Sequence, residues 1–185
     1  MFGEDALNTI KDARERLLVD NPRIIPNGVR IFATPVQSEA LRNRFTVEQS
    51  AGFDVRSFNL LADRRVLQVD LNTIDYTPLA ESTMVLEVAF DETLELLGEQ
   101  ETSLEVNAGG QFDGYVIWYE LLLGGNEVLS TAPTEGKTHW IQGFLPEWGE
   151  TKFLSPGQRL TVACVYRRYL LWLETQIGPV VDREG

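Results

Sequence analysis

The run Tyr115-Val116-Ile117-Trp118-Tyr119-Glu120-Leu121 places Tyr115, Ile117, Tyr119 and Leu121 on one side of the chain and Val116, Trp118 and Glu120 on the other. Such alternation with a period of two marks a β-strand whose two faces meet different surroundings. Leu86, Val88 and Phe90 alternate in the same way with Glu87 and Ala89, and Val29, Ile31 and Ala33 with Arg30, Phe32 and Thr34. Turn signals at Ala108-Gly109-Gly110, Gly124-Gly125-Asn126 and Pro156-Gly157 separate these runs at spacings typical of antiparallel strands. The expected fold is mostly β, an antiparallel barrel or sandwich.

Two stretches depart from this period. Leu7, Ile10, Ala13 or Arg14, Leu17 and Leu18 recur at helical spacing behind Glu4 and Asp5, which predicts an N-terminal helix with acidic charge at the positive end of its dipole. Asn21-Pro22 and Pro26-Asn27-Gly28 end it as turns, so residues 1–25 form one segment and 26–185 the β domain. Ser38 before Glu39-Ala40-Leu41-Arg42 predicts a capped short helix, with a second over Val55 to Leu61. Residues from about 38 to 65 thus form a helical excursion between strands.

Composition narrows the class of function. With 43% hydrophobic and 24% charged residues, the 185-residue chain reads as an ordinary globular protein with a sizeable core. Neither a membrane-spanning run nor a signal-like N-terminus is present in the sequence, so an intracellular and specifically cytoplasmic setting, away from membranes, is expected. A net charge of −12 argues against nucleic acid, whose binding needs clustered Lys and Arg, and suits a cationic partner. The single cysteine, Cys164, lies in the strand-like run Leu160 to Tyr166 and reads as a small buried hydrophobe. No Cys and His cluster exists to hold a metal.

The only histidine of the chain lies in Thr138-His139-Trp140-Ile141-Gln142, after the turn-rich stretch Ser130 to Lys137. Histidine suits the uptake or relay of a proton near neutral pH, and an indole face suits a guanidinium group. The segment resembles the Thr-His-Trp loop of the protein arginine methyltransferases. Further matches follow the family's order. Phe2-Gly3-Glu4-Asp5-Ala6-Leu7 is similar to the end of its double-glutamate hairpin, and Arg23-Ile24-Ile25-Pro26 to the passage into its barrel. Gly52-Phe53-Asp54 falls in the position of its dimerisation arm. Ser155-Pro156-Gly157-Gln158-Arg159-Leu160-Thr161 is similar to the turn and strand after the loop.

The resemblance implies that residues 1–25 hold a remnant of that hairpin with its linking helix, and that 26–185 form the barrel with an arm at about 38–65. It implies a catalytic role for Glu4, which would grip the substrate guanidinium, and for His139, with Trp140 and Thr138 binding substrate. The implied partners are an arginine-containing protein substrate and a second copy held through the arm. S-adenosylmethionine would donate the methyl group in the complete enzyme. This chain supplies no cofactor-binding residue, because no Gly-x-Gly segment follows a strand and opens a helix. Alone, it is expected to be inactive.

Bland readings stand beside these. Glu4 could be only an acidic residue at a helix start, and His139 with Trp140 only a packed loop pair. The aromatic set Trp118, Tyr119, Tyr166, Tyr169 and Trp172 reads as core and cross-strand packing. No nucleophile-elbow pattern accompanies the histidine, and the scattered carboxylates define no glycosidase pair. The other class of function open to the chain is a non-catalytic, stand-alone protein-interaction module.

Overall fold

The protein is described from a computed structural model that covers residues 4–62, 65–135 and 139–180. Its centre is the antiparallel pair of β1 (Gly28–Gln37) and β9 (Gly114–Gly124), in register from Gly28 opposite Leu122 to Val36 opposite Gly114. β6 (Thr83–Ala89) and β5 (Thr77–Pro78) line the other edge of β1. β10 (Glu127–Ser130) and β11 (Gln142–Pro146) line the other edge of β9, and β4 (Leu67–Val69) pairs outside β11. A three-stranded sheet sets β13 (Gln158–Arg167) between β7 (Leu97–Glu105) and β14 (Leu170–Val180). β8 (Gly110–Phe112) pairs with β12 (Lys152–Leu154). Among the described residues the sheets do not join into one continuous ring, so the arrangement is an antiparallel sandwich with an open seam.

The alternation seen in the sequence becomes two cores on opposite faces of the large sheet. Val29, Ile31 and Ala33 of β1 and Tyr115 and Ile117 of β9 face the three-stranded sheet, where Leu160, Val162, Cys164 and Tyr166 of β13 close the main core. Val116 points the other way. It packs with Val36, Leu41, Val69, Leu71 and Phe144 in a second, smaller cluster. Farther along that outer face Phe32 and Trp118, directly opposite in register, stack with ring centres 4.1 Å apart, the cross-strand aromatic pairing expected on a sheet. Tyr166 belongs to the core as the sequence suggested, whereas Tyr169 is about half exposed.

Cys164 is fully buried, and burial pushes its thiol up to about 12. Gly114 is required by its backbone: φ is +142°, and a Cβ there would lie 2.3 Å from the Leu145 carbonyl oxygen.

The N-terminal helix α1 (Ala6–Arg16) is shorter than its apolar spacing suggested, with Leu17 as the C-cap residue and both Leu17 and Leu18 exposed. It docks on the sandwich. Leu7 is buried in the main core, Lys11 Nζ donates to the Leu94 carbonyl at 3.1 Å, and Arg14 donates to the Phe90 carbonyl at 3.3 Å. The segment between helix and β1 includes a cis Ile25–Pro26 peptide.

The excursion at 38–65 begins with α2 (Glu39–Phe45), whose cap is Ser38: its Oγ accepts from the Leu41 N–H at 3.2 Å. β2 (Gln49–Ser50) and β3 (Phe53–Asp54) then form a small hairpin. Its turn residues Ala51 and Gly52 both have positive φ, as the two-residue turns that match strand twist require. The second predicted helix is a 3-10 helix over Arg56–Leu61. Its tighter, eclipsed winding leaves Phe58, Leu60 and Leu61 outside any core, and all three are exposed along with Phe53.

Candidate functional site

β10 and β11 bracket the segment that carries His139 and Trp140, and two buried polar side chains staple its foot. Thr131 Oγ1 donates to the Tyr119 carbonyl and accepts from the Tyr119 N–H, both at 3.0 Å. Gln142 Nε2 donates to the Thr131 carbonyl at 2.8 Å, and Gln142 Oε1 accepts from the Leu71 N–H at 3.3 Å. A buried amide or hydroxyl left unpaired costs about 1–3 kcal/mol, so each staple holds the departing and returning strands together. The loop therefore leaves from a fixed base on β9.

At its tip His139 and Trp140 are exposed and meet edge to face, ring centres 6.0 Å apart at 78°. Thr138, the third residue assigned to this loop, lies outside the described residues, as does Phe2. Glu4 is exposed at the turn that opens α1. Its charge reaches β9: Tyr119 is pushed above the usual tyrosine range first by burial and then by the nearby Glu4 carboxylate. Asp5 follows Glu4 with a left-handed φ of 54°, its carboxylate accepting from Asn8 and from Arg168 in the β13–β14 turn, both at 3.2 Å.

Sequence reasoning singled out His139, Trp140 and Glu4 as candidates but not the residues that anchor the His139–Trp140 segment. Thr131 and Gln142 carried a readable signal, since each is a polar residue flanking an apolar strand and needs a partner once buried. Asp113 was also missed, hidden in what reads as an Asp-Gly turn. Its side chain accepts from the Ser38 N–H at 2.7 Å, from Arg42 at 2.7 Å and from Gln111 Nε2 at 3.0 Å, tying the root of the excursion to the start of β9.

Among the described residues no glycine turn leads from a strand into a helix N-terminus to cradle S-adenosylmethionine. The one α-helix that directly follows a strand among the described residues is α2, reached through Gln37-Ser38-Glu39 without a glycine, and the Ser38 side chain already occupies its N-terminus.

Residues 28–147 match the family model described as the arginine methyltransferase oligomerization subdomain. The chain is 30% identical over 146 residues to an arginine N(omega)-methyltransferase of Streptomyces achromogenes subsp. streptozoticus, which covers 79% of this chain and 40% of that one. It is 22% identical over 190 residues to protein arginine N-methyltransferase 7 of Caenorhabditis briggsae, covering 93% of this chain and 28% of the relative. The chain thus spans less than half the length of these relatives. Its fold matches the Trypanosoma brucei PRMT1 enzyme-prozyme heterotetrameric complex with AdoHcy at a TM-score of 0.73 and 19% identity, over 95% of this chain and 59% of that one. By the family match over most of its length, the chain belongs to the arginine methyltransferase oligomerization subdomain family, the C-terminal domain of the protein arginine methyltransferases.

Proposed function

We propose that this chain is the substrate-positioning and self-association half of an arginine methyltransferase, and that the methyl donor is held by another domain of the complete enzyme. The observation that carries the reading is the pinned base of the His139–Trp140 segment, which Thr131 and Gln142 hold to β9. Glu4 offers carboxylate oxygens whose geometry suits the planar fork of a guanidinium. The exposed indole of Trp140 offers a face on which the same cation can rest. Asp5 Oδ1, buried and without a hydrogen-bond partner among the described residues, adds an acceptor beside Glu4. In this reading His139 shapes the mouth of the site and is placed to relay a proton, and S-adenosylmethionine supplies the methyl group. The chain works inside the cell, where its buried thiol stays reduced.

Protein-linked arginine is the substrate we infer. Free arginine is the second reading, favoured by the Streptomyces relative, whose name specifies arginine without protein. The test is methyl transfer by the complete enzyme to an Arg-Gly-rich peptide and to free arginine, with Glu4→Gln and Trp140→Ala compared against wild type. Losing one of two carboxylates that grip the guanidinium is expected to lower kcat/KM at least a hundredfold for Glu4→Gln. Trp140→Ala should lower it about tenfold, since a cation–π contact is worth about 1–2 kcal/mol. Wild-type rates in both variants would remove the reading.

A further inference from the structure

Among the described residues four that are not glycine have positive φ, and two of these, Asp5 and Arg168, both at 54°, are joined by their side chains although they lie 163 residues apart in sequence. Arg168 and Tyr169 form the two-residue turn between β13 and β14, with Arg167 opposite Leu170. The backbone of Arg168 does a structural job there, its N–H donating to the Leu96 carbonyl at 2.6 Å. Any residue can make that bond, and glycine would make it without the steric strain that a Cβ meets at positive φ. The ion pair does not explain the strain either. The Arg168 side chain is about half exposed, and pairs so exposed add little to stability. Backbone strain that neither packing nor stability explains is characteristic of functional positions.

The guanidinium of Arg168 reaches the residue next to Glu4. Asp5 Oδ2 accepts from Arg168 and from Asn8 Nδ2, each at 3.2 Å, while the Asp5 carbonyl accepts from the Thr9 N–H at 3.1 Å. Asn8 and Thr9 belong to α1 and turn with it, so Arg168 supplies the tie from Asp5 to a different element. With Oδ2 engaged twice, Oδ1 is left buried and unpartnered among the described residues. One rigid peptide plane separates Asp5 from Glu4, so fixing Asp5 sets the direction in which Glu4 departs.

We propose that Arg168 is a positioning residue for the guanidinium site: by holding Asp5 it aims Glu4, without touching the substrate itself. The proposal rests on the role of Glu4 given above. Correct aim matters most in the transition state, where a small misplacement of a gripping group lowers the rate more than the binding.

The test is steady-state methyl transfer to the Arg-Gly-rich peptide by the complete enzyme carrying Arg168→Gly, Arg168→Asn or Arg168→Lys, beside Glu4→Gln. Glycine and asparagine both suit the positive φ, so these two variants should melt at about the wild-type temperature. Both should nonetheless lose about threefold or more in kcat with KM changed less than about twofold. Lysine keeps a cation within reach of Asp5 and should recover about half of the loss or more. In an Asp5→Asn background, Arg168→Gly should cost less than about 1.5-fold, because the two residues act as one unit. Wild-type kcat in Arg168→Gly, no recovery with lysine, or the full loss repeated in the Asp5→Asn background would each overturn the proposal. If Glu4→Gln is impaired while Arg168→Gly is not, Arg168 alone loses its role. Wild-type rates in Glu4→Gln would overturn the guanidinium reading and this proposal with it.

Discussion

Asp113 occupies the point where the excursion leaves the sheet, and a single carboxylate there receives Ser38, Arg42 and Gln111. Its side chain is almost fully buried while that of Arg42 keeps about a quarter of its exposure, so the pair is held largely out of water. Asp113→Ala leaves a buried N–H and a half-buried guanidinium without their acceptor. A loss of about 2–3 kcal/mol is expected in denaturant unfolding, together with faster proteolysis within 38–62. A stability within 0.5 kcal/mol of wild type would show that the anchor is not formed. Cys164 gives a second expectation at this scale. Its thiol is neutral in the fold with its titration raised from 9.0 to about 12, so its contribution to stability is complete below pH 9 and is lost as pH rises from there through about 12. At pH 8 the native thiol should resist alkylation until denaturant is added, and rapid labelling of the folded protein would contradict its burial.

At the scale of elements, β1, β6, β9 and β13 were legible because each carries one clear period in the sequence, whereas β11, buried at every position, shows none. β13 reads Leu160, Val162, Cys164, Tyr166 in the sequence and packs those same four side chains inward. The Ser38 cap was legible for a local reason, since an N-cap hydroxyl needs only the next three residues to find its donor. The 3-10 form of Arg56–Leu61 was not legible, because its apolar residues meet no core and period alone cannot tell the two windings apart. For the Thr131 and Gln142 staples the sequence signalled only the need for a partner, not that Tyr119 and Leu71 would supply it. The open flank of the excursion carries its own expectation. Exposed Phe53, Phe58, Leu60 and Leu61 make an apolar surface that a single copy leaves in water. Replacing Phe53 and Phe58 together with Ser should shift the complete enzyme from a larger assembly to single copies in sedimentation without lowering its melting temperature. An unchanged mass would remove the arm from self-association.

The whole molecule is a sandwich on whose surface Glu4, His139 and Trp140 are exposed. The middle of β9 holds the loop foot at Tyr119, and its start holds the anchored excursion through Asp113. The main core draws on the strands, on the segments between them and on Leu7 of α1. Glu4, His139 and Trp140, by contrast, are all exposed, which in our reading is the posture of groups that complete a site formed with another domain. The sequence could suggest that reading because it rests on the order of motifs along the chain, whereas the open seam between the sheets shows only in three dimensions.

The most direct measurement is methyl transfer by the native protein captured from its source cells with an antibody to this domain. It would be supplied with S-adenosylmethionine and an Arg-Gly-rich peptide, and its mass read on the same sample. The account predicts methylarginine in the peptide and a native chain roughly twice the 20.9 kDa of this one or larger, as a further domain of ordinary size requires. It also predicts no transfer by the 185-residue chain alone. A native chain of 20.9 kDa that yields no methylarginine would contradict it and leave a binding module in its place.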